Sequence, residues 1–326
     1  MGNPLVSVAK RLRENYYGSL FLSAVTKPIH SVCASVARQI QTKVRKNGAR
    51  FRLPNGQIMQ VGRDSGIALA SALFWHGIEC HEPDTSKALR FFFERSEVFL
   101  DAGANYGLYS LLGALWNPAL RVVAFEPLTP IYEGLRRNVA LNQLEARIKC
   151  ENMALASRSG VSTFYVPDAE GKDLESTGTL SVNSWQVRQH ARPLQVATIR
   201  FDEYELSHPM RVDLIKIDVE DFEADVLHGM ERVIRRDKPF IVCEILPRNR
   251  EHRNERTRQV IQSLNYTPYW ITPAGYIRVS HFDFERAFTT FLLSPVSVPA
   301  EVLPDPSLLW ELKERLTATE DAAKTG

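Results

Sequence analysis

Five acidic residues and one lysine stand where they can act together. Asp101, Glu126, Asp218 and Glu244 each close a short apolar run: Val98-Phe-Leu, Arg121-Val-Val-Ala-Phe, Asp213-Leu-Ile-Lys-Ile and Pro239-Phe-Ile-Val-Cys. Runs of this length predict buried strands of a parallel sheet. In an open α/β sheet the carboxyl ends of the strands share one rim, so these acids, with Glu220 just beyond Asp218, should converge on one crevice. Any one of them alone is as well explained by a helix cap or a surface charge, but four on one rim are not. Gathered carboxylates can take a proton, hold hydroxyl groups or coordinate a divalent cation. Lys216 lies inside the third run, where an unpaired ammonium is costly, so it should reach Asp218, Glu244 or Asp101.

The residues after the first run are Asp101-Ala-Gly-Ala-Asn-Tyr-Gly107, followed by the helix-like Leu108-Tyr-Ser-Leu-Leu-Gly-Ala114. Strand, tight glycine turn and helix form a cofactor-binding corner, with Gly103 and Gly107 permitting the turn and a helix N-terminus offering unpaired N–H groups. A dinucleotide fingerprint counted from Gly103 needs glycines where this chain has Asn105 and Leu108. A ligand without phosphates needs less clearance, and Asp101 suits a cationic head, which points to S-adenosylmethionine. Glu126 follows 25 residues after Asp101, about the separation at which an acid after the next strand reaches a ribose.

Stepping from strand to strand, Ile131, Leu135, Val139 and Leu141 mark a helix after Pro127, and Val226, Leu227 and Met230 mark another after Asp218. The fold class expected is therefore α/β: a Rossmann-like, mostly parallel sheet with right-handed crossovers and an antiparallel edge strand drawn from Thr267–Ile271 and Thr289–Leu293. Further strands are expected at Arg147–Asn152, Val161–Val166 and Val196–Arg200, and helices at Ala68–Phe74, Ala88–Phe93 and Glu255–Leu264. Residues 167–193 are rich in Gly, Ser, Thr, Asp and Asn and fit either a functional lid or a surface insertion. Ala49–Val61 predicts a hairpin turning at Pro54-Asn-Gly56. The division expected is a helical extension over 1–48, a hairpin and linker helix over 49–79, the catalytic domain over 80–295, and a C-terminal helix with a frayed tail over 296–326.

Net charge is +2, but residues 1–50 carry nine Lys or Arg against the single acid Glu14, leaving the remainder at −6. Leu5, Val8, Ala9, Leu12 and Tyr16, then Ile29, Val32, Cys33, Val36, Ala37, Ile40 and Val44, follow helical spacing, with Pro28 suited to a first turn. Such a basic helix pair either docks on the catalytic domain with a solvated face or makes peripheral contact with an anionic membrane surface. No apolar stretch reaches the ~18 residues of a membrane span, and neither a secretory nor a myristoylation pattern opens the chain. Cys33, Cys80, Cys150 and Cys243 are widely spaced, which suits a reduced, cytoplasmic setting and the inner face of a membrane if one is touched. His76, Cys80 and His81 match no common metal-ligand spacing.

Several ordered motifs resemble the FkbM-type S-adenosylmethionine-dependent methyltransferases over roughly residues 80 to 295. They are Glu82-Pro83, Phe99-Leu-Asp-Ala-Gly-Ala-Asn-Tyr-Gly107, Ala124-Phe-Glu-Pro127, Asn152-Met-Ala-Leu155 before Ser159-Gly160, Ser176-Thr-Gly-Thr-Leu-Ser181, and Asp213-Leu-Ile-Lys-Ile-Asp-Val-Glu220 followed by Glu223-Ala-Asp-Val-Leu-His-Gly229. The resemblance implies a class I methyltransferase fold, cofactor contacts from Asp101, Gly103, Asn105 and Gly107, ribose hydroxyls on Glu126, and adenine beside Met153 and Ala154. It also implies O-methylation of a glycan or secondary metabolite. Where the family pattern has Gly after Val-Glu, this chain has Asp221.

Methyl transfer of this kind needs alignment and a base for the hydroxyl proton. Glu220, just past its strand, is the preferred candidate, with Asp218 and Glu244 beside it and Lys216 positioning acids or substrate; a carboxylate-bound divalent metal is the alternative device. Two other functions stay open on sequence: a methyltransferase-like binding protein without catalysis, and a nicotinamide-dependent oxidoreductase. Nucleic acid is not the expected partner, because the basic charge lies on the extension and not around the site. Trp185, Tyr266, Tyr269, Trp270 and Tyr276 offer either sugar-stacking faces or core packing for the small-molecule or glycan acceptor.

Overall fold

The computed structural model describes residues 48–62, 82–167, 191–245, 251–279 and 290–325, with positions 69, 70, 73 and 77. The basic helices expected before residue 48, the His76/Cys80/His81 group, Trp185 and most of the 167–193 segment lie outside the described residues.

The chain opens with a hairpin, β1 (Ala49–Arg52) and β2 (Ile58–Val61), paired antiparallel as the Asn-Gly turn predicts. Helix α1 (Pro83–Phe93) leads into β3 (Val98–Ala102), α2 (Leu108–Trp116), β4 (Arg121–Phe125), α3 (Thr129–Leu141) and β5 (Ile148–Glu151). Next come β6 (Ala154–Leu155), β7 (Gly160–Pro167), β8 (Ala191–Ile199), α4 (Phe201–Ser207) and β9 (Leu214–Ile217). The remainder is α5 (Glu223–Gly229), α6 (Glu231–Asp237), β10 (Phe240–Glu244), α7 (Glu251–Ser263), β11 (Thr267–Thr272), β12 (Gly275–Arg278), β13 (Thr290–Ser294), β14 (Val302–Leu303) and α8 (Ser307–Thr325).

Nine strands form the main sheet in the order β14-β12-β11-β13-β10-β9-β3-β4-β5. β10, β9, β3, β4 and β5 are parallel, and the apolar runs of β3, β4, β9 and β10 follow from burial on both faces. β3 and β9 are neighbours, yet the chain runs from β3 outward through β4 and β5 before returning to β9 and on to β10. That junction is the switch point, where a crevice opens at the carboxyl ends. The antiparallel edge expected from the last two strand candidates is formed by β13, β11, β12 and β14, with β13 inserted between β10 and β11 and antiparallel to both. Its Phe291, Leu292 and Leu293 are buried, which an edge position would not achieve.

One apolar layer packs α1, α2, the hairpin and α8 against one face of the sheet, through Phe92, Phe99, Leu111, Phe240 and Leu309. Leu53, Met59 and Val61 of the hairpin belong to this same layer. The other face carries Ile215, Ile217, Ile241 and Val226 from the sheet and α5–α6 side. β8 begins at Ala191, five residues before the expected start. It pairs along its length with β7 in a separate three-stranded sheet, because polar Arg192 and Gln195 hide the strand from an apolar pattern. The tail expected to fray from Thr317 is helical to Thr325. Thr317 and Thr319 return hydroxyl bonds to the Lys313 and Arg315 carbonyls, and Glu320 pairs with Lys238.

Gly229, at the end of α5, is a point of backbone contact: a Cβ there would lie 2.0 Å from the Ala156 carbonyl oxygen. Gly229→Ala should therefore cost about 2 kcal/mol or more, read as a lowered urea midpoint with an unchanged slope.

Candidate functional site

Strand parity assembles the site. Asp101 of β3 and Val242 of β10 both stand in register with Lys216 of β9, so the side chains at 101, 216 and 242 share one face. Asp218 and Glu244, two residues on, follow the same side to the rim. Lys216 is 4% exposed. Its Nζ donates to Asp218 Oδ2 at 2.8 Å, the carboxylate partner its burial demanded. Burial alone would discharge this ammonium, but Asp218, Glu82 and Asp101 outweigh it and hold Lys216 charged. Glu244 has the opposite fate. Burial first, then the Asp218 charge and a hydrogen bond with Asp218, push its carboxyl far above the usual range. Glu244, one of the expected acids, thus stands beside Asp218 and holds its proton more tightly than an ordinary carboxyl.

Two residues of the cluster come from the other layer. Pro83 starts α1 at its first turn, and Glu82 before it takes a left-handed backbone, φ 49°. Its carboxylate reaches the rim and accepts the Tyr109 hydroxyl at 2.9 Å. Carboxylate oxygens of Glu82, Asp218 and Glu244 lie within 4.8 Å of one another, and the Lys216 ammonium sits 4.9 Å from the Tyr109 ring centre. Burial and then Glu82 hold the Tyr109 phenol well above its ordinary value, so it remains a donor. Sequence reasoning placed neither Glu82 nor Tyr109 in the site. The one available signal was the Glu-Pro step ahead of a helix.

The cofactor corner forms beside this cluster. Asp101 is 1% exposed and lies within β3. Its Oδ2 accepts the Ser110 hydroxyl at 2.6 Å, while Oδ1 has no hydrogen-bond partner among the described residues. Burial raises its carboxyl, against the pull of Lys216 and Ser110. The turn carries Gly103, Asn105 and Gly107 at φ 80°, 53° and 89°. The two glycines are needed for packing within the chain: a Cβ on Gly103 would lie 2.0 Å from the Asp218 carbonyl oxygen, and one on Gly107 2.4 Å from Leu135 Cδ1. Glu126 is fixed by backbone, with Oε2 accepting Asn105 N–H at 3.0 Å and Oε1 accepting Leu128 N–H at 2.9 Å. Ala154 is buried next to Leu128 and Ile131, and Met153 packs partly buried on the other side of the sheet.

Glu220 and Asp221 follow β9 in consecutive left-handed conformations, φ 51° and 76°. The Asp221 N–H bonds Glu223 Oε1 at 3.0 Å. Tyr266, Tyr269 and Tyr276 are core residues: Tyr269 is fully buried, and Tyr266 donates its hydroxyl to the Pro239 carbonyl at 2.8 Å. Among the described residues no helix is long and apolar enough to cross a membrane.

A sheet of this order, with a glycine turn and acids at its switch point, is the Rossmann-like α/β fold of the class I methyltransferases. Residues 101–269 match the family model described as "Methyltransferase FkbM domain", and the chain belongs to that family. It is 29% identical over 154 residues to Methyltransferase sdnD of Sordaria araneosa, covering 40% of this chain and 60% of that protein. It is 27% identical over 211 residues to the 31-O-demethyl-FK506 methyltransferase FkbM of Streptomyces tacrolimicus, covering 56% of this chain and 75% of that one. The chain thus spans about three fifths of the length of its relative from Sordaria araneosa. A solved structure of Methyltransferase FkbM from Methylobacillus flagellatus aligns over 72% of this chain and 56% of its own, at 17% identity and a TM-score of 0.38.

Burial pushes Glu126 up to about 7, against the two backbone N–H groups that stabilise its charge. The folded chain keeps this proton well above the ordinary value of 4.5. Its contribution to stability is therefore full below that value and is lost as pH rises through about 7. Between those limits the stability difference between the wild type and Glu126→Gln should narrow as pH rises. The variant should be less stable throughout, because an amide oxygen can accept only one of the two N–H groups. Urea unfolding of both proteins across this range checks it.

Proposed function

We propose that the protein is an S-adenosylmethionine-dependent O-methyltransferase acting on a hydroxyl of a glycan or a secondary metabolite. The observation that carries this reading is the meeting, at one switch point, of the Asp101–Gly107 turn with the Lys216–Asp218–Glu244 group. Family membership supports methyl transfer, and the relative from Streptomyces tacrolimicus is named for an oxygen acceptor. The residues fit the cofactor. Asp101 offers an unpartnered buried carboxylate oxygen, suited to the amino group of the methionine end. Glu126, held by two backbone N–H groups, keeps lone pairs for ribose hydroxyls. Met153 and Ala154 are the residues proposed to flank adenine.

When bound, the cofactor would supply an electrophilic methyl group on its sulfonium and would leave as the neutral thioether, the sulfur keeping the electron pair. The chain must align the acceptor and take one proton. The hydroxyl proton becomes strongly acidic as the new bond forms, so a carboxylate of low basicity suffices. Asp218 is the base we favour over Glu220: it stands among the other acids and accepts a hydrogen bond from the Lys216 ammonium. Protonated Glu244 and the Glu82 carboxylate then donate to and accept from the acceptor's neighbouring hydroxyls. Lys216 supplies the positive charge that a metal would otherwise bring to these carboxylates.

The test is transfer of labelled methyl from S-adenosylmethionine to a panel of glycans, nucleotide sugars and polyhydroxylated metabolites, with S-adenosylhomocysteine titration alongside. Absence of cofactor binding would sink the reading. Asp218→Asn should lower kcat about 100-fold or more, the lower range for loss of a general base, whereas Glu244→Gln, still a donor, should stay within about tenfold. A large loss in Glu220→Gln with activity kept in Asp218→Asn would give the proton to Glu220.

Turnover should survive a strong chelator. Loss of activity on chelation, restored by Mg²⁺, would assign Glu82, Asp218 and Glu244 to a metal.

A further inference from the structure

Asn138 in α3 is a buried polar residue that the chemistry above does not use. It is 0% exposed. Its side-chain carbonyl accepts Gly62 N–H at 2.8 Å, and its amide donates to the Tyr106 carbonyl at 2.8 Å. One turn further, Asn142 repeats half of this pattern: its carbonyl accepts Gln60 N–H at 2.8 Å and its amide donates to Gln60 C=O at 2.7 Å. Two asparagines four residues apart share one helix face, so together they act as a strand partner for the end of β2. Only Asn138 reaches on to the glycine turn. The hairpin also holds the far end of α2, where Asn55 donates to the Leu115 carbonyl at 3.0 Å.

The Tyr106 carbonyl lies between two left-handed residues, Asn105 and Gly107. Bonds within that turn are local: Tyr106 N–H to Asn105 Oδ1 at 2.7 Å and Gly107 N–H to the Ala104 carbonyl at 2.8 Å. The Asn138 amide fixes the turn from outside, and with it the peptide whose Asn105 N–H holds Glu126. A buried amide with donor and acceptor both engaged has no substitute of equal shape, since removing either bond strands a buried polar group.

We infer that Asn138 is a positioning residue for the cofactor. Acting through the Tyr106 carbonyl, it holds the Ala104–Gly107 turn in its binding geometry and makes the hairpin a working part of that site. The inference rests on the cofactor reading above.

Calorimetric titration of the full chain with S-adenosylhomocysteine tests it, together with amide hydrogen exchange without ligand. Asn138→Ala should weaken binding about tenfold, the effect of one buried hydrogen bond. Asn138→Asp, which still accepts Gly62 N–H but opposes a carboxylate to the Tyr106 carbonyl, should weaken it at least as much. Exchange at residues 105–108 should quicken in both. Asn142→Ala should lower the melting temperature and leave affinity and turn exchange unchanged. Asn138→Ser, which keeps one hydroxyl, is the milder variant if the others do not fold, and its affinity should fall between wild type and Asn138→Ala. Wild-type affinity in Asn138→Asp, or in Asn138→Ser where that is the variant that folds, overturns the inference, as does an equal loss in Asn142→Ala. Failure of the wild type itself to bind removes the cofactor reading and the inference with it; wild-type binding with unaltered variants removes the inference alone.

Discussion

The site is organised by one requirement: an ammonium in the middle of a β-sheet must be neutralised where it stands. Lys216 cannot reach water from a strand flanked by β3 and β10, and its desolvation must be offset by partners on its own face of the sheet. Parity dictates which residues those are. Asp218 makes the direct bond, while Asp101 alongside and Glu82 opposite supply field. One ammonium beside four acids leaves excess negative charge, and burial together with the Asp218 charge pushes the Glu244 carboxyl well above its ordinary range. The division of labour among chemically similar carboxyls is thus a consequence of where the positive charge is buried.

The same crowding sets the shape of the glycine turn. β3 and β9 lie so close past their last paired residues that Asp218 N–H bonds the Ala102 carbonyl at 3.1 Å, and no side chain fits at Gly103. Gly107 is held by Leu135 in the same way. Glycine is required at these positions by the neighbouring strand and helix, and the path left for the backbone brings the Asn105 N–H to Glu126 and those of Gly103 and Ala104 to the Phe125 carbonyl. Cofactor geometry and core packing are one constraint here.

Much of this was legible in the sequence. The five parallel strands, the helix after each glycine or proline signal and the need of Lys216 for a carboxylate follow from local pattern and from the cost of a buried charge. Contacts set by distant segments were not legible. Glu82 and Tyr109 meet across 27 residues and face Asp218 from the helical layer, which no strand-end count reveals. β13 looks like any terminal apolar run, and only its pairing with both β10 and β11 makes it internal. β8 and the end of α8 carry too little apolar periodicity to stand out; β8 is ordered by pairing with β7, and the end of α8 by Lys238, far away in the chain. The close approach of Gly103 to Asp218 and of Gly107 to Leu135 is likewise set by segments distant in the chain.

Asp221 joins these threads. A non-glycine residue with φ 76° directly after another at φ 51° is an unfavourable stretch of backbone, of order 1–3 kcal/mol for each residue. It persists because both sides of the turn are fixed: Asp218 is tied to β3 and Lys216, and Glu223 at the start of α5 accepts the Asp221 N–H. Asp is among the residues that tolerate this region best, so the substitution for glycine keeps the turn while adding a carboxyl to a rim already rich in them.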